Sequence, residues 1–161
     1  MSNQSYDLMP GDVAIGFVGD ELKTLLGSCV SVILTDPRRT VGAMCHIVHV
    51  GISQTNSAHN TAFGNAAMAD MFGRLRAIGI TPHLCDAYVY GGGNMFPHLF
   101  REKHVGASNT EWVLGFLQQH RIAVVEQHVG GAGYRKVSWT VGPHEPVVET
   151  VFSDQGQLYE R

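Results

Sequence analysis

A cysteine stands where two apolar stretches meet, in Leu25-Leu26-Gly27-Ser28-Cys29-Val30. Small residues before a thiol let the backbone turn sharply and leave its N–H groups free, which is what an oxyanion hole requires. Gly27 and Ser28 are therefore the candidate oxyanion support. A thiol becomes an effective nucleophile when a nearby base takes its proton, and His46 is the candidate base. Suppose Val30–Thr35 and Val41–Val50 pair as an antiparallel hairpin around the four-residue turn Asp36–Arg39. Val30 then faces Cys45, and Cys29 faces His46 with Cβ atoms about 5 Å apart. A slip of one residue would put the two on opposite faces. Thr24 is a candidate third group, whose hydroxyl could accept an imidazole N–H bond and fix the tautomer, without the charge a carboxylate supplies. Each residue also has a plainer reading: Cys29 as a small buried hydrophobe, His46 as a structural histidine bonded to a carbonyl, and Thr24 as a strand threonine.

Other chemistry is less well supported. The chain has nine histidines, and Cys45-His46 with His49 is their tightest cluster. On a strand, Cys45 and His49 point to one face and His46 to the other, so the three do not close on one metal, and closely spaced Cys or His pairs of the zinc type are absent elsewhere. No metal site is expected. The loops Gly91-Gly92-Gly93-Asn94 and Gly130-Gly131-Ala132-Gly133 fit neither a dinucleotide fingerprint nor a P-loop with its lysine. They read as tight turns or places of close backbone approach. Arg135 and Lys136 read by default as a solvated pair.

The elements that must position these residues come from pattern. Val13–Phe17, Leu22–Leu26, Val30–Thr35, Val41–Val50, Cys85–Tyr90 and Ile122–Gln127 read as strands, and Tyr134–Val141 with Pro146–Phe152 as a terminal strand pair. Met68, Met71, Phe72 and Leu75 follow one helical face in a helix over Gly64–Ile78, and that stripe reads as core. Ser108 with Glu111 fits a capping box opening a second helix, which carries Trp112, Val113, Phe116 and Leu117. Residues 51–60 read as a mobile surface loop. Helices alternating with strands favour an α/β fold in which helices cover a mixed sheet.

The whole chain, residues 1–161, has the length of one compact domain. Its net charge of -3 provides no basic field for nucleic acid. The polar N-terminus lacks the layout of a signal peptide, and no apolar run approaches the ~20 residues of a membrane span. Three cysteines are too few for a disulfide scaffold. A cytoplasmic protein with free thiols is expected.

The run Leu22 to Val32, then Asp36-Pro37, then Val41-Gly42-Ala43-Met44-Cys45-His46, resembles the CheD family of chemoreceptor glutamine deamidases. Phe63 to Met68, Gly91-Gly92-Gly93-Asn94-Met95-Phe96, Val105-Gly106-Ala107-Ser108-Asn109 and Gly130 to Val137 follow the family's further motifs in order. The resemblance implies an α/β sandwich, a mixed β-sheet structure flanked by helices. It implies Cys29 as nucleophile, His46 as general base, and Thr24 as the natural match for the family's threonine, although some members carry that threonine where this chain has Lys23. It implies a protein-glutamine glutaminase that converts receptor glutamines to glutamates through a thioester, with glutamate methyl esters as a second substrate, and it implies no cofactor. The implied partners are the helical cytoplasmic region of methyl-accepting chemotaxis receptors and, as a further candidate, a CheC-type phosphatase. Departures lie at His49-Val50, where the family has Leu-Pro, and at Gln127-His128, where it has an acidic residue. A non-catalytic receptor- or phosphatase-binding module and a thiol hydrolase of another amide stay open as alternatives.

Overall fold

The computed structural model describes residues 3–50, 60–99 and 104–152. Its strands are β1 (Ser5–Leu8), β2 (Val13–Phe17), β3 (Glu21–Leu26), β4 (Val30–Thr35), β5 (Val41–Cys45), β6 (Asp86–Gly91), β7 (Ala123–Val129), β8 (Tyr134–Thr140) and β9 (Val147–Val151). Its helices are α1 (Gly64–Ala77) and α2 (Val105–Gln119). One sheet has the order β2-β5-β4-β6-β7 and the other β1-β3-β8-β9. Each is mixed, with parallel pairs at β6/β7 and β1/β3. Among the described residues, no helix is long and apolar enough to cross a membrane.

Strand alternation builds three layers. Val30, Val32 and Leu34 of β4, with Val41, Ala43 and Cys45 of β5, pack against Met68, Met71 and Leu75 of α1 and Val113 and Leu117 of α2. The intervening residues Ile33 and Met44 face the four-stranded sheet, where Leu22, Leu26, Val137 and Trp139 meet them. The structure is thus an α/β sandwich with both helices on one outer face. Each fully buried Met or Leu of these clusters contributes about 1.5–3 kcal/mol. A Cβ on Gly42 would overlap the Trp139 ring, so that ring of one sheet packs directly on the β5 backbone of the other.

Several boundaries differ from the sequence expectation. β1 is an added strand; three of its four residues face solvent at least in part, which hides its pattern. β5 ends at Cys45, and the chain beyond it keeps only the isolated bridges Val30–Ile47 and His49–Phe63. The β4–β5 register is also two residues from the expected one: Thr35 pairs with Gly42, not with Thr40. The Asp36 carboxylate widens the turn by accepting bonds from the N–H of Thr40 and of Val41 and from the Thr40 hydroxyl. Helix α2 starts at Val105 rather than Ser108, because the His104 ring accepts the Ala107 N–H as the cap. The loop expected over 51–60 falls, apart from Asn60, outside the described residues.

Candidate active site

Thr24 lies on the buried row of β3 with Leu22 and Leu26, while Lys23 and Leu25 face outward. The inward row supplies the hydroxyl, so Thr24 and not Lys23 reaches the interior. Parallel pairing with β1 sets Leu8 beside it. Its Oγ1 lies 2.8 Å from the Leu8 carbonyl oxygen and 2.8 Å from Nδ1 of His46. A hydroxyl has one proton, and a carbonyl oxygen only accepts. Both contacts are satisfied when Thr24 donates to Leu8 and accepts Nδ1–H from His46. That network assigns the proton to Nδ1 and leaves the lone pair of Nε2 available as a base.

His46 itself is 3% exposed. Its backbone is held by the β1–β2 connection, with its N–H donating to Asp12 at 3.1 Å and its carbonyl accepting from Gly11 at 2.9 Å. Val30 and Ile47 exchange both backbone hydrogen bonds, at 3.0 and 2.8 Å. Cys29 and His46 therefore stand diagonally across that pair and not opposite each other. The two-residue shift preserves parity, so both remain on the face toward the four-stranded sheet. Half-buried Cys29 packs against that inter-sheet cluster. Burial pushes the Cys29 thiol above its ordinary 9.0. Burial also pushes the His46 imidazole below 6.5, against the opposing pull of the Leu8 carbonyl and the Asp12 charge. Both shifts favour the neutral forms, thiol and imidazole.

The turn carrying Cys29 is gripped from behind. Gly93 N–H donates to the Gly27 carbonyl and Gly92 N–H to the Cys29 carbonyl, each at 2.9 Å. Asn109 donates to the Ser28 carbonyl at 3.1 Å. In a trans peptide the C=O and the following N–H point in opposite directions. Anchoring the Gly27 and Ser28 carbonyls thus turns the N–H groups of Ser28 and Cys29 the other way. Among the described residues no acceptor takes either N–H. Gly91 must be glycine: its φ is +110° and a Cβ would overlap the Cys29 carbonyl. Arg135 holds this loop in turn. It is 4% exposed and donates to the Gly91 carbonyl at 3.1 Å, to the Gly130 carbonyl, and to His128 Nδ1 at 2.9 Å. The solvated pair expected at Arg135 and Lys136 is corrected here: β8 alternation turns Lys136 outward and Arg135 inward.

A cleft of about 580 Å³ opens beside the turn, lined by Ser28, Val48, His49, Met95, Phe96 and Val105 among others. Phe96 and Val105 are 62% and 59% exposed, which gives the cleft an apolar rim. Among the described residues no three of His, Cys, Asp and Glu come together as a metal site would need.

The model of the family described as CheD chemotactic sensory transduction matches residues 50–150. A protein named "Probable chemoreceptor glutamine deamidase CheD 2" from Albidiferax ferrireducens is 34% identical over 83% of this chain and 80% of its own length. The chain belongs to the CheD family. Similar proteins include the CheD of Pseudomonas savastanoi pv. phaseolicola, 32% identical over 96% of this chain and 92% of its own length. CheD 3 of Dechloromonas aromatica is 33% identical over 83% and 80%. The span matched by the family begins after Cys29 and His46.

The structure brings Thr24 and His46 into direct contact and packs Cys29 against the inter-sheet cluster, while Ser28 lines the cleft beside the turn. Three participants escaped the sequence reading. Leu8 offers only a backbone carbonyl. Asn109 reaches Ser28 from 81 residues away. Arg135 follows a glycine loop where a solvated charge is the default. The one available signal was strand alternation through Val137 and Trp139, which puts Arg135 on the buried row.

Proposed function

We propose that this chain hydrolyses glutamine side-chain amides on chemoreceptors, with Cys29 as nucleophile, His46 as general base and Thr24 orienting His46. The observation that carries the reading is the relay from His46 Nδ1 through Thr24 to the Leu8 carbonyl, which leaves Nε2 as the acceptor. The names of the similar proteins supply the substrate class.

In this reading both groups start neutral, and proton removal accompanies attack. Sγ of Cys29 adds to the glutamine amide carbon while Nε2 takes the thiol proton. The developing oxyanion faces the N–H groups of Ser28 and Cys29. The imidazolium returns its proton to the amide nitrogen, the C–N bond breaks, ammonia leaves, and a thioester remains. Water then adds to the thioester as Nε2 takes its proton. Collapse breaks the C–S bond, the sulfur recovers the proton, and glutamate is released. A glutamate methyl ester reaches the same thioester with methanol as the leaving group. The apolar-rimmed cleft is the place for the helical cytoplasmic region of a receptor, which would put the protein in the cytoplasm, and a CheC-type phosphatase is a further partner in this reading.

The test incubates purified receptor cytoplasmic fragments with the protein and follows ammonia release and the unit mass gain of amide-to-acid conversion. Cys29→Ala should abolish both and leave the thermal unfolding transition in place. Retained turnover would remove Cys29 as nucleophile, whereas receptor binding by the wild type without ammonia release would favour a non-catalytic module.

A further inference from the structure

Asn109 is buried at 1% exposure on α2, and it points at the catalytic turn instead of the helical core. Its Nδ2 carries two hydrogens, and both are used. One goes to the Ser28 carbonyl at 3.1 Å and the other to the Val48 carbonyl at 3.2 Å. Ser28 precedes the proposed nucleophile, and Val48 lies two residues past the proposed base. One amide therefore ties together the two segments whose alignment the chemistry requires. The helix carrying it packs closely on the Gly92–Gly93 loop that grips the turn: a Cβ on Gly106 would overlap the backbone of Gly92 and Gly93, and Thr110 would be struck by one on Gly92.

The Ser28 carbonyl belongs to the same peptide as the Cys29 N–H. A donor on the carbonyl fixes the plane of that peptide and polarises it, which makes the N–H at its other end a stronger donor. We propose that Asn109 is a positioning residue that aims and polarises the Cys29 N–H toward the oxyanion of acyl transfer. The proposal rests on the deamidase reading above and adds a residue to it. Asn109 lines the cleft beside the turn, but its amide acts on the chemistry through the Ser28–Cys29 peptide.

Two reactions of the same sulfur separate this role from general support. Acyl transfer from a receptor glutamine builds an oxyanion. Alkylation of Cys29 by iodoacetamide displaces iodide at a saturated carbon and builds none. In Asn109→Ala, kcat for ammonia release should fall about a hundredfold, the cost expected when a reacting group is misplaced by about 1 Å. KM should move far less than kcat, because both hydrogens of the Asn109 amide are committed to the Ser28 and Val48 carbonyls although the residue also lines the cleft. The alkylation rate at the Cys29 peptide and its pH profile should also stay within about twofold of wild type, because the sulfur's own surroundings are unchanged. Asn109→Ser keeps a shorter donor and should lose only about tenfold. An unchanged kcat in Asn109→Ala overturns the proposal while leaving the deamidase reading standing, and so does alkylation that falls in step with kcat. Loss of a cooperative thermal transition in both variants assigns Asn109 to folding alone and also overturns it. A wild type that releases no ammonia from any receptor fragment sinks both readings together.

Discussion

The two faces of the five-stranded sheet are made by alternate residues of the same strands, yet they differ in kind. Toward the helices, β4 and β5 present Val30, Val32, Leu34, Val41, Ala43 and Cys45, all apolar. Toward the other sheet the same segments present Ser31, Thr35 and His46 among Ile33 and Met44, and Thr24 and Arg135 come from across the gap. Burying a polar group without a partner costs about 1–3 kcal/mol, so the second face is stable only where its groups are paired. Thr35 donates to the Val41 carbonyl, Thr24 to Leu8, and Arg135 to two carbonyls and a ring nitrogen. Ser31 Oγ is an exception among the described residues. The thiols divide the same way. Burial pushes Cys45, on the helix face, up to about 12, while half-buried Cys29 stands at the edge of the inter-sheet space. One face supplies cohesion and the other can hold chemistry.

Substitutions can break this division or sharpen it. The largest effect is expected from His46→Ala, which should lower turnover of receptor fragments about 10²–10⁴-fold. Wild-type turnover should fall only as pH drops below 6.5, because burial holds the imidazole below that value, and a pH–rate profile should lose that acid limb in the variant. The same shift bears on stability. Between the folded and unfolded values the unfolded state binds more protons, so the His46 contribution is present above 6.5 and lost as pH falls through the lower folded value. Met71→Ala, on the helix face, should cost about 2–5 kcal/mol in denaturant unfolding with kcat unchanged at a temperature where it remains folded. A matching loss of kcat would blur the separation of the two faces. Thr24→Val should have the smallest effect, a loss of about five- to tenfold in kcat, in line with one hydrogen bond of about 1 kcal/mol. No loss would mean that the Leu8 carbonyl orients His46 unaided.

Much of this arrangement was legible in the chain. Branched residues marked β4, and the spacing of Met68, Met71, Phe72 and Leu75 marked α1, because both bury a face with a regular period. The parity that puts Cys29 and His46 on one face was also legible, although the register was not. The turn after Asp36 is widened by a side chain bonding backbone amides, and the positive φ of Arg39 falls on a residue that does not advertise it. β1 has too few buried residues to show a period. The cap of α2 is a histidine, outside the usual Ser, Thr, Asp and Asn set. Asn109 and Leu8 owe their importance to contacts between distant parts of the chain, which no local pattern records.

Thr24 stands in one sheet and His46 just past the end of β5 in the other, so the hydrogen bond between them inherits whatever gap the sheets keep. That gap is gauged at Gly42, four residues ahead of His46 and roughly 13 Å along the strand, where the absence of a side chain admits the Trp139 ring. A single methyl group there would act as a wedge, prising the layers apart at a distance from any reacting atom. Tolerance of the interior to mutation and fidelity of the catalyst are, in this architecture, one and the same dimension.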